Sequence, residues 1–172
     1  MDYMCEFLSE EAITLHKEHF RILKLKYSVL EKSDSRIKSL SLKELQKARL
    51  PKDTKREAIE LMRDIIYHEI YFASFGKPGV KSSFIRSKYP SESHFIYDVY
   101  SASMNIKGGF LLFYNDRGKL RVVDSKRDYS FDTPVLAIDM EEHAYFNDYM
   151  FDRERYLKSA LYYLAVDKLE NL

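Results

Sequence analysis

Two apolar stripes at helical spacing, each interrupted once by a histidine, limit the folds open to this chain more than any other feature. From Ser9 to about Lys32, the residues Ile13, His16, Phe20, Leu23, Tyr27 and Leu30 step by three and four, the spacing of one buried helix face. Ser9 suits the cap of that helix, and Glu10 and Glu11 suit the positive end of its dipole. From about Thr54 to Phe75 a second stripe reads Ala58, Leu61, Ile65, His68, Phe72 and Phe75, and Gly76-Lys77-Pro78-Gly79 stops it. His16 falls seven residues after its helix starts, and His68 seven before its own ends. If the helices pair antiparallel, both histidines lie about 10 Å from the same end of the hairpin, at roughly 1.5 Å per residue. Two imidazoles then meet at one level. The plain alternative is two separate core histidines, each hydrogen-bonded to a neighbour.

Between the stripes, Ser33 to Lys52 is polar and broken by Pro51. Arg36 to Glu57 carries eight basic and three acidic residues, a net +5. No aromatic side chain interleaves with them, so a solvated loop and short helix is the stronger reading and nucleic-acid binding the weaker. The whole chain balances 28 basic against 27 acidic residues, which leaves no global field to mark a nucleic-acid or membrane partner. The single cysteine, Cys5, cannot close an internal disulfide, as expected in a reducing compartment. The acidic N-terminus lacks the basic-then-apolar order of a secretory signal, and no apolar run approaches a membrane span. A cytoplasmic protein is expected.

After Gly79 the pattern changes. Ser91 to Met104 reads as a helix with Phe95, Val99 and Ala102 on one side. Phe110–Tyr114 and Leu120–Val123 flank the turn Asn115-Asp116-Arg117-Gly118 as a β-hairpin, and Val135–Ile138 follows as a third strand. A closing helix runs from about Arg153 to Leu169. The expected fold class is α+β: a helical hairpin half over residues 1–78, and an α+β half over 79–172 with a three-stranded antiparallel sheet and flanking helices.

The third strand delivers Asp139, and His143 follows four residues later. The two can converge on one ion. With the seam histidines they make three nitrogens and one oxygen, a set that suits iron or manganese and could also hold zinc. His94 has no such partner and reads as a surface or helix-end residue. An unrelated di-iron bundle needs Glu-x-x-His pairs, and no Glu here precedes a His by three.

Taken in order, these segments resemble the iron/manganese superoxide dismutases. Asp139-Met-Glu-Glu-His143-Ala-Tyr-Phe146 is similar to the family signature Asp-x-Trp-Glu-His-Ala-Tyr-Tyr. Leu8–His16 and Tyr67–Phe72 are similar to its two metal-binding helices, and Gly108–Phe113 with the following turn to its first hairpin. The resemblance covers almost the whole chain. It implies one iron or manganese ion per chain bound by His16, His68, Asp139 and His143, superoxide as a small anionic substrate, and a homodimer with Glu142 at its interface.

The chain departs from the family around the metal. It has no tryptophan; Glu141 stands at the signature tryptophan, and Gly108 and Phe110 at other pocket tryptophans. Asp64 stands at one of two positions that supply the family's glutamine. The gateway tyrosine corresponds to Lys24, or to Leu23 with one residue deleted. The neighbouring histidine corresponds to Phe20, or to His19 with the same deletion. Carboxylates at 64 and 141 are expected to repel superoxide and slow the reaction, and Lys24 to offset part of that. Two further readings stay open. One is a dismutase-like metalloprotein with other oxygen or peroxide chemistry, in which Asp64 or Glu141 touches the metal or its solvent. The other is a non-catalytic binding protein.

Overall fold

The computed structural model describes residues 3–78, 83–106, 108–128 and 130–170. Helix α1 (Glu10–Ser33) starts where Ser9 caps it, the Ser9 hydroxyl accepting from the Ala12 N–H at 3.1 Å. Its antiparallel partner α3 (Lys52–Ala73) begins just after Pro51. The short α2 (Leu42–Lys47) lies between them, opened by a reciprocal Ser41–Glu44 capping box. The expected seam forms, but α3 buries a wider face than one stripe. Ala58 and His68 are buried as expected, and Tyr67 and Tyr71 join them, because α3 packs against the sheet as well as against α1. Gly79, the last residue of the expected stop, lies outside the described residues.

The second half opens with α4 (Ser83–Lys88) and α5 (Glu92–Ser103). On α5 the buried residues are Phe95, Val99 and Ser103, with Ala102 exposed. The hydroxyl of Ser103 donates to the Val99 carbonyl, so a polar side chain is satisfied within its own helix. Strands β1 (Phe110–Asp116) and β2 (Lys119–Asp124) form the hairpin, and β3 (Leu136–Asp139) pairs antiparallel with the other edge of β1. Arg117 and Gly118 both have positive φ, at 52° and 79°, the conformation of the two-residue turn that matches strand twist. Phe110 to Tyr114 are buried without alternation, as in a central strand covered on both faces.

Helix α6 (Glu142–Tyr149) follows β3 directly, and α7 (Arg153–Tyr162) closes the core. The last helix is shorter than the sequence pattern predicts. Beyond Tyr162 the chain extends along the end of α3: Gly76 N–H donates to the Tyr163 carbonyl and Ala165 N–H to the Ser74 carbonyl, each at 2.8 Å. Those pairings satisfy backbone groups left over where α3 ends, and a 3₁₀ turn, Val166–Glu170, follows. One main core spans the hairpin, the sheet and α7. No helix among the described residues is long and apolar enough to cross a membrane.

Candidate metal centre

Four elements deliver one side chain each. His16 comes from the first turns of α1 and His68 from the last turns of α3, and their rings lie 5.2 Å apart, centre to centre. Asp139 ends β3, opposite Phe110 on β1. His143 is the second residue of α6, in reach because the chain turns straight from strand to helix, with the Glu141 N–H donating to Asp139 Oδ1 at 2.8 Å. One ligand atom from each of the four lies within 4.8 Å of the others.

The geometry inside this group is that of a cation cradle. Asp139 Oδ2 has the Nε2 atoms of His143, His16 and His68 around it at 3.0, 3.2 and 3.6 Å. Yet Oδ2, both ring nitrogens of His16 and Nε2 of His68 are buried without a hydrogen bond. Buried polar atoms left unpaired are costly, and here Asp139 Oδ2 and the Nε2 atoms of His16 and His68 lie together. His68 Nδ1 lies 2.7 Å from the Asp64 carbonyl, which fixes Nδ1 as the protonated nitrogen and turns Nε2 inward. Burial pulls His68 down to about 4, so its ring is neutral and ready to ligate. Burial would raise the Asp139 carboxyl, but the imidazoles of His143 and His16 outweigh it and hold the group well below the usual carboxylate range. The donor set fits iron or manganese.

Asp139 is also held from behind. Tyr156 OH donates to its backbone carbonyl at 2.8 Å, and Tyr71 OH meets Tyr156 OH at 3.2 Å. Tyr71 packs on His16, with ring centres 4.9 Å apart. None of these tyrosines stands out in the sequence, since at helical spacing they look like ordinary core.

A cavity of about 680 Å³ opens on the His68 and His143 side, with Leu23, Asp64, Phe110 and Glu141 among its walls. The expected departures from the family meet here. Glu141 accepts from the Gly109 N–H at 2.5 Å and pairs with Lys126 at 3.2 Å, so its charge is partly compensated. A Cβ on Gly108 would stand 2.9 Å from both Glu141 carboxylate oxygens; glycine and glutamate fit together where the family has indoles. Asp64 sits at the water-reached wall of the cavity and is pushed up to about 6, first by lost hydration and then by Asp139, Glu60 and Glu141. Lys24 lies outside, exposed, 3.2 Å from Glu69 and over the Phe20 ring at 4.1 Å. Leu23 and His19 line the cavity instead, and His19 stacks on His143 with centres 4.0 Å apart. The one-residue deletion is thus the alignment that matches the cavity wall. His94 is exposed at the start of α5, its Nδ1 2.8 Å from the Ser91 hydroxyl.

A search of curated proteins found no match to the chain. The family model described as iron/manganese superoxide dismutases, C-terminal domain, matches residues 79–171. That match covers more than half of the chain and includes Asp139 and His143, while the hairpin brings His16 and His68 to the same point: the chain belongs to the iron/manganese superoxide dismutase family.

Proposed function

We propose that the protein is a superoxide dismutase in which His16, His68, Asp139 and His143 hold one iron or manganese ion per chain. It converts superoxide to oxygen and hydrogen peroxide, as a cytoplasmic homodimer. The observation that carries this reading is the convergence of three imidazole nitrogens and one carboxylate oxygen, within 4.8 Å of one another, on a point that no hydrogen bond fills. When bound, the ion supplies two oxidation states for superoxide and an acidified water as proton source.

The rest falls to the chain. The Asp64 carbonyl orients His68, and the Tyr156 hydroxyl steadies Asp139 from its backbone side. Lys126 and Arg63 on the cavity wall offset Glu141, Asp64 and Glu60 for an incoming anion. His19, its pKa lowered first by burial and then by the neighbouring histidines, stays neutral against His143. Glu142, exposed in the first turn of α6 beside His143, is assigned to the dimer interface, by its match to the family glutamate that reaches across it.

Metal analysis together with a superoxide disproportionation assay on the purified, metal-loaded protein tests this. The expected result is one iron or manganese per chain and activity that rises with metal content. Full loading with no disproportionation would overturn the dismutase reading. It would favour the second one, other oxygen or peroxide chemistry. That reading is supported by Asp64 and Glu141, which line the same cavity as His68 and His143.

A further inference from the structure

The turn end of the α1–α3 hairpin is a small body of its own. Ile37, Leu45 and Ala58 are fully buried there, with Tyr27, Leu40 and Leu50 packed around them, in a cluster separate from the main core. The stretch from Arg36 to Glu57 carries +5 of a chain whose total is +1, which leaves −4 for the remainder. In the sequence these charges look merely solvated, and the structure changes that in three respects.

All but one of the acidic groups of the tip are already committed, the exposed Glu57 being the exception. Glu44 accepts from the Ser41 N–H and hydroxyl at 2.7 and 2.6 Å. Asp34 grips the Arg36 guanidinium through both oxygens, at 2.8 and 2.6 Å. Asp53 pairs with Arg56 at 3.2 Å. Lys43 reaches Asp132 and Lys55 reaches the Ala48 carbonyl. Lys38, Lys47, Arg49 and Lys52 remain exposed, with no ion pair among the described residues. The capped α2 and the local core hold these four cations on a rigid frame. The tip is also remote from the metal cluster: α1 runs 17 residues on from His16 to Ser33, or about 25 Å at the helical rise.

We propose that this tip binds the phosphate backbone of duplex nucleic acid through Lys38, Lys47, Arg49 and Lys52. Single strands would call for stacking aromatics, and residues 34–57 contain none. An anionic bilayer fits less well, because none of the exposed large apolar side chains falls in residues 34–57 and surface-bound helices bury such groups. The −4 on the remainder would also oppose approach to a broad negative plane. Backbone contact of this kind has no sequence preference.

The test is fluorescence anisotropy of a labelled mixed-sequence DNA duplex with the full, metal-loaded protein. Four phosphate contacts predict an affinity that falls about 100-fold between about 50 and 200 mM salt. The variant K38Q/K47Q/R49Q/K52Q should lose binding while keeping its metal content and circular dichroism. The variant K26Q/R117Q/K119Q/R155Q, with the same loss of charge elsewhere, should keep binding. If the tip variant fails to fold, hydrogen exchange of the natural protein decides: the duplex should slow exchange within residues 34–57. Absence of binding at low salt overturns the proposal. So does binding that the folded tip variant retains, exchange at the tip that the duplex leaves unchanged, or capture by phosphatidylserine vesicles without binding of the duplex. None of these outcomes bears on the dismutase reading.

Discussion

His68 has one nitrogen tied to the Asp64 carbonyl and the other turned toward Asp139, so it has a single way to ligate. His68→Ala should abolish stoichiometric metal, and added metal should no longer raise the unfolding temperature, because ligand stabilisation requires binding to the native state. Unchanged metal content by elemental analysis would refute the assignment. Asp64 gives a pH signature. In the metal-free protein its folded pKa of about 6 lies above the ordinary 3.8, so the folded state holds the proton more tightly. Ionisation therefore destabilises the fold, fully above about pH 6, and the effect is relieved as pH falls toward 3.8. Asp64→Asn should raise the melting temperature of metal-free protein near pH 8 and change it little near pH 4. Gly108 has φ 109° and the Glu141 carboxylate against its α-carbon. Gly108→Ala should cost about 1–3 kcal/mol, read by chemical denaturation. A neutral result would mean that neither the positive φ nor the Glu141 carboxylate opposes a side chain there.

Among the elements, the junction between α3 and β3 matters most to the site, because β3 ends in Asp139. Ser74, fully buried, donates through its hydroxyl to the Ile70 carbonyl at 2.7 Å and accepts from the Ala137 N–H at 2.8 Å. Ser74→Ala leaves that strand N–H unpaired and should destabilise the protein by about 1–3 kcal/mol. Urea denaturation measures the loss, and metal affinity should fall with it. α1, α3 and the hairpin were legible because periodicity, caps and turn residues are local signals. The early end of α7 was not, since Tyr162 to Leu169 is as apolar as the helix before it; its backbone is drawn off by Ser74 and Gly76, just past the end of α3.

For the molecule as a whole, Phe146, Met150 and Phe151 are exposed around the end of α6, and Phe151 is 89% exposed, next to the helix that carries Glu142 and His143. An apolar group of this kind beside a metal cluster suits subunit contact. The loaded protein should be a dimer by light scattering, and Phe151→Asp should shift it toward monomer. A natural protein that is monomeric at high concentration would count against the dimer. The rate expectation also belongs at this scale. Glu141 is paired with Lys126 and Gly109, so the repulsion of superoxide expected from two bare carboxylates is left mainly to Asp64.

The sequence by itself determined the two seams, the level of their histidines and the Asp139–His143 spacing, because helical and strand periods convert directly into which side chains share a face. Only the tertiary structure decided that Glu141 packs on Gly108, that Leu23 and His19 rather than Lys24 and Phe20 wall the cavity, and that Tyr156 backs Asp139. Each of those contacts joins residues from separate elements. Their pairing depends on how helices and sheet dock, and no local period records it.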